Sequence, residues 1–123
     1  MFGIASYRSS RVASAPPAQI VMMLFEEAIK RLTLASVCRT EGEEVACRGH
    51  LQHVRQIVLE LRVALDPEPS PVLHARLSGL YVWVQQELVA AARDTNDKRI
   101  LTCQGVFEQL ATGWRAALRQ VAP

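Results

Sequence analysis

Cys47, His50 and His53 follow one another at intervals of three residues, and a thiol with two imidazoles is a donor set that zinc takes. On a helix, two successive offsets of three fan the side chains over about 120° of the circumference. Converging all three on one ion would strain that geometry, so Cys47 is expected in the core, with His50 and His53 at its edge or in solvent. A dinuclear carboxylate centre in a helical bundle needs Glu-x-x-His on two helices. The residues three before His50, His53 and His74 are Cys47, His50 and Pro71, which excludes that chemistry. Glu26 with Lys30, and Glu27 with Arg31, stand four residues apart, the spacing of solvated helical ion pairs rather than of a catalytic carboxylate pair. The chain has no GxSxG, P-loop or GxGxxG, the motifs that build a nucleophile or cradle a phosphate. No catalytic residue, metal or cofactor is therefore expected, and the chain does not read as an enzyme.

The elements that carry these residues are helical throughout. Apolar residues recur at helical spacing in four segments, and no stretch alternates as a half-buried strand does. The first, about Pro17 to Thr40, aligns Ile20, Leu24, Ala28, Leu32 and Ala35, with Val21, Phe25 and Ile29 widening the stripe. Proline suits a first helical position and pushes its predecessor out of the helical region, so the helix starts near Pro17. Gly42 is placed to close it in the left-handed conformation. The second, about Glu43 to Leu65, has Cys47, Leu51, Val54, Val58, Leu61 and Leu65 alternating at four and three, a heptad-like seam. Pro67, Pro69 and Pro71 stop any helix between Asp66 and Ser70, and Ser70 is suited to cap the next one. The third, about Pro71 to Arg93, buries Leu73, Leu77, Leu80, Val84, Leu88 and Ala91. After a turn at Asp94 to Asp97 with capping side chains, the fourth, about Asp97 to Val121, aligns Ile100, Cys103, Phe107, Leu110, Trp114, Ala117 and Val121.

Helices of similar length joined by short turns predict an all-α, antiparallel up-down four-helix bundle over 17–123. Residues 1–16, with Phe2, Ile4 and Tyr7 as isolated apolar groups among serines and arginines, predict an extended, irregular N-terminal segment. At 123 residues the chain is one domain that buries about two-thirds of its unfolded surface.

With a net charge of +2 and basic residues interspersed with acids, no nucleic-acid partner is expected. The longest apolar run, Ile20 to Phe25, is far short of the roughly 20 residues that span a bilayer, so no membrane insertion is expected. Without a basic n-region and apolar h-region at its start, the chain is expected in the cytoplasm. Three cysteines without CxxC spacing read as reduced thiols in the core. Apolar residues beyond the core stripes remain: Val21, Met22, Phe25, Ile29, Ile57, Ala64, Tyr81, Trp83 and Val89. They either widen the buried faces or form a groove for an amphipathic partner helix.

Tyr7, Pro17 ten residues later, then Ile20, Met23-Leu24-Phe25 and Ala28-Ile29 resemble the opening of the flagellin-specific export chaperones of the FliS type. That pattern is a Tyr, a Thr-Ala-Ser-Pro-like entry and Leu-(x)-Met-Leu-Tyr-Asp-Gly-Ala-Ile. Thr40-Glu41-Gly42-Glu43, Ile57-Val58-Leu59-Glu60-Leu61 with Ala64-Leu65-Asp66, Leu80-Tyr81 with Leu88, and Leu110 with Trp114 resemble the family's first turn and its later helices in order. The chain departs from the pattern at Glu26-Glu27 in place of Asp-Gly, at Pro16 in place of Ser, where Ser14 can partly substitute as a cap, and at Phe25, which lacks the phenol.

The resemblance implies a cytosolic bundle that holds the disordered C-terminal segment of flagellin, prevents premature polymerisation and presents the subunit to components of the flagellar export gate. It implies partner contacts at Ile4, Tyr7, Pro17, Met23, Phe25, Ile57, Leu80 and Tyr81, with the tyrosine-bearing N-terminal segment covering part of the groove until flagellin arrives. A generic helical adaptor with another protein partner is the alternative.

Overall fold

The computed structural model describes residues 17–68 and 70–121. The N-terminal segment, with Ile4, Tyr7 and the Ser14 cap, lies outside the described residues. Four helices follow in order: α1, Pro17–Thr40; α2, Glu44–Ala64; α3, Pro71–Ala91; and α4, Lys98–Val121. They form the expected all-α four-helix bundle. Each runs antiparallel to the next, α1 and α3 both packing between α2 and α4, with α1 making the more extensive contacts.

Local chemistry sets the boundaries. Gly42 has φ +77°; its N–H donates to the Arg39 carbonyl at 3.2 Å, and the Glu43 N–H donates to the Cys38 carbonyl at 2.8 Å. This paired closure requires the left-handed residue that glycine supplies at no steric cost. At the α2 end, Leu65 turns extended, and the Asp66 carboxylate accepts the Glu68 N–H at 3.0 Å. Ser70 caps α3 by accepting the Leu73 N–H at 3.2 Å, ahead of Pro71 in the first turn. The Asn96 side-chain oxygen accepts the Lys98 N–H at 3.0 Å at the start of α4.

The core runs along the axis through Leu24, Phe25, Ala28 and Leu32 of α1, Leu51, Val54, Ile57 and Leu61 of α2, Tyr81, Val84 and Leu88 of α3, and Ile100, Cys103 and Phe107 of α4. Three expectations are corrected. Leu73 is 53% exposed and Leu77 and Leu80 are only half-buried, while Tyr81 is buried in their place. In α4 the buried stripe passes to Ala111, and Leu118 packs against it while Ala117 is exposed. In α4 the cause is pitch, because a straight helix drifts about 20° per heptad away from a strict three-four alternation; in α3 the first turns lack a neighbour that covers Leu73 among the described residues. Glu26 reaches across to Arg115 of α4 at 3.7 Å, whereas Glu27 and Arg31 pair along α1 at 2.9 Å as their spacing indicates.

The cysteines are free, with Cys47 and Cys103 buried and Cys38 half-exposed. His50 and His53 sit half-buried on the α1-facing edge of α2. Arg31 Nη1 lies 3.4 Å from His50 Nδ1; a guanidinium only donates, so His50 accepts through Nδ1 and is neutral. Burial, then the Arg31 charge, holds both imidazoles below their ordinary value, with Glu27 partly opposing at His53.

Candidate partner-binding groove

The ends of the bundle are built differently. At the end formed by the C-termini of α1 and α3 and the N-termini of α2 and α4, Arg39 is buried. Its Nη1 donates to the carbonyls of Ala91 at 2.8 Å and Asn96 at 3.0 Å, and its Nε to both Glu44 carboxylate oxygens at 3.2 Å. Ser36 Oγ donates to the Asp97 carboxylate at 2.7 Å. One guanidinium and one hydroxyl thus tie α1 to α2 and to the α3–α4 turn.

The opposite end is, among the described residues, apolar and open. A cavity of about 280 Å³ is walled by Val21 and Phe25 of α1, Leu61 and Ala64 of α2, Leu73, Leu77 and Tyr81 of α3, and Leu110 and Trp114 of α4, with Leu65 from the α2–α3 connector. Asp66, Ser70 and His74 add a short polar rim. Trp114 anchors one wall: its indole N–H donates to the Ala18 carbonyl at 2.8 Å, and its ring meets Phe25 edge-on with centroids 6.1 Å apart. Phe25 in turn leans on Phe107 at 6.3 Å. Burial pushes the Tyr81 phenol up to about 12, so the wall stays uncharged at neutral pH. Such a cavity offers apolar area and shape, which suits the side chains of a partner segment.

Of the residues implied as partner contacts, Phe25 and Tyr81 meet in this cavity. Pro17 is the first residue of α1. Ile57 is fully buried in the core, and Met23 and Leu80 are half-buried outside the cavity wall. Ile4 and Tyr7 lie outside the described residues. In the sequence pattern the wall residues Leu61, Leu73, Leu77, Leu110 and Trp114 belong to core stripes. Their signal is that each stripe continues to the helix end beside the proline-rich connector, where, among the described residues, no neighbouring turn packs over it.

A family model described as "Flagellar protein FliS" matches residues 3–121. The chain belongs to the FliS family. It is 29% identical over 126 residues, 98% of this chain and 90% of the relative, to the flagellar secretion chaperone FliS of Salmonella typhimurium. Its backbone matches the crystal structure of a flagellar chaperone from bacteria with a TM-score of 0.80 at 21% identity, over 94% of each chain. The FliS fold thus positions the open cavity between the first turns of α1 and α3 and the last turns of α2 and α4. Among the described residues, no helix is long and apolar enough to cross a membrane.

Proposed function

We propose that this protein is a cytoplasmic export chaperone that binds the disordered C-terminal segment of flagellin, keeps it from polymerising early and passes it to the flagellar type III export apparatus. The observation that carries this reading is the open apolar cavity in a chain of the FliS family. Flagellin side chains would enter between Leu73, Leu77 and Trp114 and fold as they bind. Apolar burial at about 25 cal/mol per Å² then offsets an ordering cost of roughly 2–5 kcal/mol. Tyr7 is separated from Pro17 by ten positions, a span of up to about 35 Å. It is therefore within reach of the cavity and is proposed to compete with flagellin for it.

The test uses Trp114 as reporter. In a Trp83→Phe background Trp114 is the remaining tryptophan, and titration with a flagellin C-terminal segment should change its emission and give a negative heat-capacity change with a gain in helicity. No binding at about tens of micromolar, a Kd weaker than most coupled-folding contacts of this area, would leave a generic helical adaptor as the better reading.

A further inference from the structure

A second groove lies on the outer seam between α2 and α3, toward the Arg39 end. Its floor is apolar, made by the buried Leu51 and Leu88 and by Val89, which is 38% exposed. Its rim is cationic: Arg48 and Arg55 from α2 face Arg93, two residues past the end of α3. Arg48, Arg55 and Arg62 stand at seven-residue intervals, and Gln52 and Leu59 fill the steps between them. That register places all five on one stripe, with the arginines about 10 Å apart along the helix. Across the seam Val82, Val89 and Arg93 repeat the pattern at seven and four.

None of these four arginines is ion-paired to a carboxylate among the described residues. Those that are paired are Arg31, Arg39, Arg99 and Arg115. From Val45 to Leu59, α2 carries no acidic residue. At the rim, Arg55 Nη1 donates to the Gln52 side-chain oxygen at 3.2 Å, which leaves its guanidinium charge without a carboxylate. Arg55 Nε and the neighbouring Gln85 Oε1 are buried without a partner, although Gln85 Nε2 donates to the Arg55 carbonyl at 3.1 Å. Guanidiniums without a carboxylate, in register along an apolar trough, are complementary to carboxylates in register along an apolar ridge.

We infer that the α2–α3 groove is a docking site for an acidic amphipathic helix of a partner protein. That helix presents Glu or Asp at seven-residue intervals beside small apolar side chains. Its apolar ridge covers Val89 and Leu59, and its carboxylates close on Arg48, Arg55 and Arg93. A polyanion is the poorer match, because phosphates would leave the apolar floor uncovered and the net charge of the chain is only +2.

The probe is a synthetic Ala/Leu helix about 20 residues long, long enough to hold helical structure, with Glu at seven-residue spacing; its twin carries Lys instead. The full chain should bind the Glu peptide and not the Lys peptide, and binding should weaken about tenfold or more as salt rises from about 50 to 500 mM. Arg48→Glu/Arg93→Glu, at two positions on the groove rim, should keep the helical circular dichroism and lose binding at least tenfold, about 1.4 kcal/mol. The Lys/Lys counterpart should retain most of it. Leu73→Glu, in the cavity at the other end, should leave Glu-peptide binding unchanged and impair the flagellin segment, so the two sites fail independently. Three results would overturn the inference: equal binding of both peptides, loss of the Glu peptide in Leu73→Glu, or arginine-dependent binding of a single-stranded oligonucleotide or anionic vesicles in place of the Glu peptide.

Discussion

Replacing Arg39 with methionine tests whether the closed end of the bundle is held by one buried guanidinium. Methionine keeps an unbranched apolar stem of similar reach and removes every donor. Each bond from a charged donor contributes about 1.5–3 kcal/mol. The Ala91 carbonyl keeps the Asp94 N–H at 3.1 Å as a second partner, so its loss falls at the low end, whereas Asn96 loses its Arg39 bond outright. The Glu44 side chain is 41% exposed, and that pair contributes less than about 1 kcal/mol. In the other direction, Arg39 Nη2 is buried without a partner, and removing it returns about 1–3 kcal/mol of desolvation. The net expectation is a destabilisation of about 2–3 kcal/mol, from the two carbonyl bonds offset by that relief. For a domain of this size the midpoint should fall by about 6–12 °C. Urea and thermal unfolding followed at 222 nm measure it, and hydrogen exchange of the Asp94 and Leu101 amides localises it. An Arg39→Met variant melting within about 2 °C of the parent, under 1 kcal/mol on the same scale, would refute the reasoning.

Phe107→Ala removes a fully buried ring packed on Phe25 and should cost about 3–5 kcal/mol in urea unfolding. Because His50 and His53 titrate lower in the folded chain than in the unfolded one, the unfolded state takes up protons first. Stability should therefore decline as pH falls through about 6.5, the unfolded value, toward the folded values. His50→Gln/His53→Gln should flatten that slope, and an unchanged slope would place the titration elsewhere. An aromatic disulfide reagent at mildly alkaline pH should modify Cys38 in the native protein and spare Cys47 and Cys103, the last with its thiol pushed up to about 12 by burial; stoichiometric labelling of all three before unfolding would contradict the packing. Truncation of residues 1–10 should speed exchange of Val21 to Ala28 amides if Tyr7 competes for the cavity, and identical protection would dismiss that role.

How far the fold is legible depends on whether a boundary is set by local chemistry or by packing. Pro17, Gly42, Ser70 with Pro71, and Asn96 each act within a turn of their own position, and each helix begins or ends within two residues of where they place it. Burial is a tertiary property, and there the seven-residue rule misleads. In α4 the strict alternation leads to Ala117, but the pitch of a real helix carries the buried stripe through Ala111 toward Leu118. In α3 the apolar pattern Leu73, Leu77, Leu80 is as regular as any other, yet Leu73 is left half in solvent. Apolar spacing identifies the face of a helix; it carries no information on whether a neighbour arrives to cover it.

That same gap explains why the candidate site is only half legible. Phe25 and Tyr81 stand out as aromatics beyond a single stripe, whereas Leu73, Leu77 and Trp114 are indistinguishable from core. What makes them a site is the difference between the ends of the bundle. At the closed end, Arg39 and Ser36 convert the turns into one hydrogen-bonded unit. At the open end, among the described residues, the bond from Trp114 to Ala18 and the ion pair of Glu26 with Arg115 at 3.7 Å both join α1 to α4, and the connector between α2 and α3 is rich in proline. Opening free energy is lowest where buried apolar contacts and internal hydrogen bonds are few, so the first turns of α3 can move apart from α2 while the Arg39 end stays intact. On the proposed function, a partner segment would gain apolar area by closing a gap the bundle itself leaves, and the closed end would keep the four helices in register while it does so.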